Sequence, residues 1–282
     1  MTLEKAEAFQ KLHERDRIFV LPNPWDIGTA KMLAALGFEA LATTSAGYAF
    51  SRGRLDQVGD MGRQEALSRA REIVEATPLP VSADLENGFG DSPEAVAETV
   101  RGAGEVGLVG CTIEDTTGHP DCPLYDKILA IERVAAGVEA AASLGHPFML
   151  TARSENYLCG RPDLDDTLER LVGYEAVGAD VLYAPGLPDL DSIQKVCTAV
   201  SKPVNVVAGI GLKGVTLGDL ERCGVRRVSV GSALARTALG AMLSAAREIR
   251  DGGTFSAFES AASFVEIKEL IGSVSGQKNT DD

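Results

Sequence analysis

Carboxylates at positions 84 and 86 are the residues most clearly placed for chemistry. Residues 80–90 (PVSADLENGFG) read as a short apolar strand that runs into acid and then into a glycine-rich turn. Side chains two apart on a strand share a face, so Asp84 and Glu86 are expected to converge at one strand end. Gly88 and Gly90 would let the backbone turn sharply beside them. The pattern returns at residues 107–115 (GLVGCTIED), where a second apolar run ends in Glu114 and Asp115. Acids gathered at strand ends need a cation or a shared proton between them. A hard divalent ion held by carboxylate and water is the expected occupant, Mg²⁺ first and Mn²⁺ as the alternative. Asp115 begins a loop, where a capping or turn role is equally expected.

A third apolar run, residues 148–151, leads into Arg153 and Glu155. One metal and one arginine form the set that a small 2-oxo or 2-hydroxy carboxylate requires. The metal would take the carboxylate and its adjacent oxygen, while Arg153 would pair with a carboxylate as a bidentate fork.

These residues need a scaffold that brings strand ends together. Short apolar runs occur at 18–21, 40–43, 80–83, 108–113, 148–151, 181–183, 204–207 and 227–230. Helical patterns lie between them, among them 92–105, 128–143, 164–177 and 234–250. Nearly continuous apolar strands suit a parallel sheet buried on both faces. Eight strand–helix units predict an α/β fold of the (β/α)₈ TIM-barrel type, with catalysis at the C-terminal strand ends. A doubly wound sheet is the alternative, but no Gly-x-Gly-x-x-Gly follows the first strand.

The expected organisation is a catalytic barrel over 1–250, a C-terminal helical extension over 251–275 and a disordered tail over 276–282. The extension carries Phe255, Phe258, Phe264, Val265, Ile267, Leu270 and Ile271. A helix that apolar is expected to dock on its own barrel or on a neighbouring subunit. Residues 48–63 are expected to form a long polar loop, a lid over the strand ends.

With 27 basic and 41 acidic residues, the 282-residue chain carries a net charge of −14. That argues against nucleic acid and anionic membranes as partners. Five dispersed cysteines without a CxxC pair predict a reduced, cytoplasmic protein. The charged N-terminus lacks the apolar stretch of a signal peptide.

Other signals are weaker. Gly209, Gly211, Gly231 and Ser232 resemble the phosphate grip that barrels build after strands seven and eight, although tight turns account for glycines there as well. His13 lies in a polar helical stretch. His119 sits in the loop at 116–125 and could reach the site, but no second histidine stands at zinc spacing. Cys122, in the same loop, has no visible base beside it.

Taken together, residues 84–90 with Ile113-Glu114-Asp115, Thr151-Ala-Arg153, Thr44-Ser45-Ala-Gly47 and Gly53-Arg-Leu-Asp56 resemble the isocitrate lyase/phosphoenolpyruvate mutase superfamily. The resemblance implies a barrel whose eighth helix is exchanged between subunits, usually in a homotetramer built as a dimer of dimers. It implies that Asp84 ligates Mg²⁺ directly and that Glu86, Glu114 and Asp56 hold it through water. Ser45 and Gly47 would bind the substrate carboxylate, with Arg153 nearby. The family's reactions make or break C–C or P–C bonds through a metal-bound, enolate-like intermediate. The chain departs from the pattern after Glu114. Isocitrate and methylisocitrate lyases carry a Cys-Gly-His loop there, and this chain reads TTGHPDCP. The second acid of the signature is also Glu rather than Asp. What remains resembles the branch that includes oxaloacetate decarboxylase-like enzymes. The expected activity is C–C cleavage of a small dicarboxylate. Two alternatives stand beside it: a P–C bond enzyme, and a non-catalytic relative that binds a carboxylate.

Overall fold

The computed structural model describes residues 2–56 and 59–275. The expected disordered tail lies outside the described residues. Eight strands run parallel: β1 (Phe19–Leu21), β2 (Leu41–Ala42), β3 (Val81–Asp84), β4 (Gly110–Glu114), β5 (Met149–Arg153), β6 (Val181–Tyr183), β7 (Val204–Val207) and β8 (Arg227–Ser229). Their order in the sheet is β1-β8-β7-β6-β5-β4-β3-β2. At the remaining seam, Ala42 N–H donates to Pro22 O at 3.0 Å. The sheet is thus a nearly closed (β/α)₈ barrel, as the eight apolar runs predict.

The helices are α1 (Thr2–Glu14), α2 (Ile27–Ala35), α3 (Ser45–Ser51), α4 (Arg63–Ala76), α5 (Pro93–Glu105), α6 (Lys127–Ala142), α7 (Leu164–Ala176), α8 (Leu190–Ala199), α9 (Leu217–Arg222), α10 (Ala233–Gly252) and α11 (Phe264–Ser275). Their starts are written in the sequence. Asp26, Ser92, Asp126, Asp163, Asp189 and Thr216 each cap a helix by accepting a backbone N–H. Ser92 is followed by Pro93 in the first turn, where the missing N–H costs nothing.

Helix α1 closes the lower mouth. Its Ala6, Phe9 and Leu12 pack with Phe19, Met149 and Val181 in one apolar cluster. His13, expected on a polar helix, is buried with them at 5% exposure. Its ring stands edge-on to Phe9 and Phe19, and its Nδ1 meets Phe9 O at 2.8 Å. Above this plug the barrel interior turns polar. Arg227 donates to Asn205 Oδ1 at 2.8 Å and to Thr151 Oγ1 at 2.9 Å, and its Nη1 lies 3.3 Å from His13 Nε2.

The segment expected as a loop from residue 48 begins differently. Thr44 caps α3, so Tyr48 through Ser51 are helical and the irregular stretch starts at Arg52. At the other end of the chain, α10 buries only Ala235 and exposes Leu234, Met242, Leu243 and Ile249. A 3₁₀ turn at Ser256–Ser260 follows, and α11 lies along α2. Among the described residues, no helix is long and apolar enough to cross a membrane.

Candidate active site

Strand β3 ends at Asp84, and its carboxylate is held from several sides. Ser45 Oγ donates to Asp84 Oδ2 at 2.9 Å, with the Ser45 amide at 3.3 Å. Thr112 Oγ1 donates to Oδ1 at 3.3 Å. Arg153 Nη1 reaches the same Oδ1 at 3.2 Å. Burial alone would raise the Asp84 pKa. Arg153, the Ser45 hydrogen bonds and Arg69 outweigh it and hold the carboxyl below its usual range.

Glu86 arrives by a different route from the strand alternation expected. The strand has already ended, and Glu86 adopts a left-handed backbone at φ 48°, as does Phe89 at φ 59°. Such conformations cost L-residues roughly 1–2 kcal/mol each and persist only when their surroundings hold them. Here the clamp is Arg133 of α6, 1% exposed, which donates to Gly90 O at 2.7 Å and also to the carbonyls of Asn87 and Asp91. Tyr125 lies under that guanidinium and donates to Asp91 Oδ1 at 2.6 Å. Gly88 takes φ 83°, and a Cβ at Gly90 would meet Ala95 Cβ at 2.6 Å. Glycine is thus required at both positions, by conformation at one and by space at the other.

Glu86 Oε2 is buried and has no hydrogen-bond partner among the described residues. Burial first, then repulsion from Asp84 and Asp56, pushes the Glu86 carboxyl up to about 8. Glu114 is raised well above the usual range, chiefly by burial and against the pull of Arg153. Asp56 is raised by burial and by Asp84, against the pull of Arg153. These are acids brought together beyond what the cations present can neutralise.

Arg153 is the hub of that cluster. Its Nη1 lies 3.0 Å from Glu114 Oε2 as well as 3.2 Å from Asp84, and its Nη2 is 2.8 Å from Glu155 Oε1. The fork expected to grip substrate is already engaged with protein acids. Glu155 is fixed in turn by Asp115, which accepts the Glu155 amide at 2.8 Å, Tyr174 Oη at 2.6 Å and Arg170 Nη1 at 3.1 Å. Asp115 is therefore a buried anchor rather than a turn cap. Sequence reasoning missed Arg133, Arg170 and Tyr174, because each is a single helix residue with no motif around it.

Gly47 stands beside the cluster on α3. Its N–H is taken by Thr44 Oγ1 at 3.3 Å, and a Cβ there would meet Thr44 Cγ2 at 2.7 Å. Leu55, Asp56, Asp60 and Met61, from the segment expected as a lid, line a small cavity with Glu86. Arg54 pairs with Glu65 at 2.8 Å, and Tyr48 Oη also meets Glu65, at 3.2 Å. A cavity of about 10 Å³ remains between Ser45, Asp56, Met61 and Glu86, near the least that one water needs.

The weaker signals fall away from the site. The amides of Val230 and Gly231, which a phosphate grip would use, both donate to Asn23 Oδ1 at 2.9 Å. His119 and Cys122 are exposed. The Cys122 thiol turns to Leu124 O at 3.6 Å.

A metal fits the residues that are present. Glu86 offers an unpartnered buried oxygen, and the raised pKa values of Glu86, Glu114 and Asp56 are those of hard oxygen donors awaiting positive charge. Among the described residues, no three His, Cys, Asp or Glu side chains stand together as a direct ligand set. The arrangement therefore suits an ion with few protein ligands and several waters, which is the habit of Mg²⁺.

The phosphoenolpyruvate phosphomutase family model matches residues 9–250. An uncharacterized protein of Mycobacterium tuberculosis is 33% identical over 247 residues, spanning 87% of this chain and 90% of that protein. The 2,3-dimethylmalate lyase of Eubacterium barkeri is 26% identical over 277 residues, spanning 96% and 95%. Among solved structures, a candidate lyase/mutase from Burkholderia cenocepacia J2315 superposes with a TM-score of 0.92 at 55% identity, covering 95% of each chain.

Proposed function

Because the chain belongs to the isocitrate lyase/phosphoenolpyruvate mutase superfamily, we propose that it is a Mg²⁺-dependent carbon–carbon lyase acting on a small 2-oxo or 2-hydroxy dicarboxylate through an enolate. Relatives with a named activity include lyases, among them dimethylmalate and methylisocitrate lyases. The observation that carries the reading is the unpartnered Glu86 Oε2 beside Asp84, in an acid cluster tied together by Arg153.

Asp84 would hold the metal directly, and Glu86, Glu114 and Asp56 would hold it through water. Bound there, Mg²⁺ supplies a Lewis acid for negative charge developing on substrate oxygen. The protein's own residues do the rest. Arg153 keeps Asp84 ionised and fixes the spacing of Asp84, Glu114 and Glu155. Ser45 orients Asp84 and, with Gly47, frames the place for the substrate carboxylate. Leu55, Asp56, Asp60 and Met61, which line the small cavity at Glu86, would exclude bulk water while the carbanionic fragment exists. P–C bond chemistry is the second reading, favoured by the phosphomutase family match. Release of phosphate from phosphonopyruvate would distinguish it.

The exposed apolar face of α10 supports a homo-oligomer in which that helix is exchanged between subunits. Dispersed free cysteines support a cytoplasmic setting.

The test uses oxalate, a planar mimic of a small enolate. Calorimetry should show oxalate binding to the wild type with Mg²⁺ and not without it. Asp84→Asn should lose that binding while its thermal unfolding stays cooperative. An Asp84→Asn protein that binds Mg²⁺ and oxalate like the wild type would overturn the assignment.

A further inference from the structure

We propose that Tyr125 is a positioning residue for the metal site. It joins the Glu86 turn after β3 to the Asp115 anchor after β4, so that the acids at the two strand ends are fixed as one unit. The inference rests on the metal-dependent lyase reading above. It starts from the loop at which the chain departs from the cysteine-dependent lyases. Thr117 N–H donates to Pro123 O at 2.9 Å, Thr116 pairs with Leu124 in an antiparallel bridge, and Tyr125 N–H donates to Asp115 O at 2.9 Å. The excursion from 116 to 124 thus closes on itself and returns Tyr125 to the strand end that it left.

The backbone of Tyr125 belongs to the β4 side. Its carbonyl accepts from Arg170 Nη1 at 3.0 Å, and the same nitrogen lies 3.1 Å from Asp115 Oδ2. Asp115 holds the Glu155 amide, and Glu155 holds Arg153. The buried side chain serves the β3 side. Its hydroxyl accepts from Asn87 Nδ2 at 3.1 Å and donates to Asp91 Oδ1 at 2.6 Å. Asn87 Oδ1 accepts the Phe89 amide at 3.1 Å. The Arg133 guanidinium stacks on the Tyr125 ring, 4.1 Å from its centroid, while it binds the carbonyls of Asn87, Gly90 and Asp91. Tyr125 therefore braces the left-handed turn through side chains and seats the arginine that clamps its backbone.

Glu86 depends on that brace. Its backbone is left-handed, and its Oε2 finds no hydrogen-bond partner among the described residues. The place of that oxygen is thus set through the turn that carries it. Glu86 O also accepts the Glu114 amide at 3.0 Å, so the same turn sets the distance between the two acids. A donor oxygen already in place costs little ordering when an ion binds. One that must be ordered at binding takes that cost out of the affinity.

Tyr125→Phe keeps the ring under Arg133 and removes only the hydroxyl. Calorimetric titration of Mg²⁺ in the presence of oxalate should show a dissociation constant raised about tenfold, the worth of one hydrogen bond to a charged group. Urea unfolding of the variant should stay cooperative. Asp91 is exposed, so Asp91→Ala removes the acceptor of that hydroxyl without opening the core. It should raise the same constant about threefold. Two changes that break one bond are not additive. The double variant should therefore bind Mg²⁺ no more weakly than Tyr125→Phe alone.

A merely structural tyrosine would lower the urea midpoint and leave the Mg²⁺ constant where it was. Tyr125→Phe with wild-type Mg²⁺ affinity therefore overturns the role of Tyr125 and leaves the lyase reading intact. Should Tyr125→Phe not fold, Asp91→Ala with wild-type affinity does the same. Additive losses in the double variant would mean that Asp91 acts on the site apart from Tyr125, and they overturn the joint between the two strand ends. A wild type that does not bind oxalate with Mg²⁺ overturns the metal reading and this inference with it.

Discussion

The Tyr174 hydroxyl donates to Asp115 Oδ2 at 2.6 Å, and this bond ties a helix of the outer ring to the catalytic face. Asp115 uses its other oxygen to hold the Glu155 amide, and Glu155 holds Arg153. The order of the acid cluster thus depends on a phenol in the last turn of α7, itself fully buried.

Tyr174→Phe should therefore destabilise the fold by ~1–3 kcal/mol, the cost of leaving a buried acceptor short of a donor. Urea denaturation should show this as a lower midpoint with an unchanged slope. Arg170 and the Glu155 amide remain on Asp115, so the variant should still fold. A midpoint equal to the wild type would show that Asp115 does not rely on Tyr174.

Asp56 tests the lid. Its carboxyl is pushed up by burial and by the neighbouring Asp84, yet it belongs to the segment that Arg54 fastens to Glu65. Asp56→Ala should lower kcat about tenfold, the worth of a charge-assisted hydrogen bond, and weaken oxalate binding less. Hydrogen exchange at the described amides from Arg52 to Gly62 should slow in the wild type when Mg²⁺ and oxalate are added. Identical exchange with and without ligand would dismiss the lid.

Apolar runs were enough to reveal the barrel, because each strand is buried on both faces and so reads as continuous hydrophobic sequence. The acids were visible because carboxylates at the ends of such runs contradict burial. Glu86 shows the limit. Its position looks like strand alternation in sequence, but it is set by a left-handed turn that Arg133 clamps from 47 positions further on. Arg133, Arg170 and Tyr174 are single residues on helix faces, and only tertiary contacts reveal their roles. The same holds for His13, whose helix buries the side that its local composition calls polar.

His13 gives a stability signature in acid. Burial first, then the neighbouring Arg227, lowers its pKa from 6.5 to about 3. Between those values the unfolded chain binds a proton that the folded protein refuses. Stability contributed by neutral His13 is thus fully present above pH 6.5 and is lost as pH falls toward 3, with a limiting slope of about 1.4 kcal/mol per pH unit. His13→Gln keeps an acceptor for Arg227 and cannot titrate. Urea midpoints measured from pH 7 to pH 5 should fall more steeply for the wild type than for His13→Gln. Parallel pH profiles would mean that His13 charges freely in the folded state.

Cys122 decides which branch of chemistry the chain follows. A lyase that protonates its departing dicarboxylate through a loop cysteine needs that thiol at the metal. Here Cys122 lines an outer cavity of about 560 Å³ with Asp121, Arg161 and Asp163, and its thiol points to Leu124 O. None of the acids around Arg153 lines that cavity. Cys122→Ser should therefore leave turnover of oxaloacetate within about twofold of the wild type. A true general acid contributes ~10²–10⁴ in rate, so a catalytic role could not hide in such an assay. Efficient cleavage of methylisocitrate that collapses in Cys122→Ser would place the thiol in the site and return the chain to the cysteine-dependent lyases.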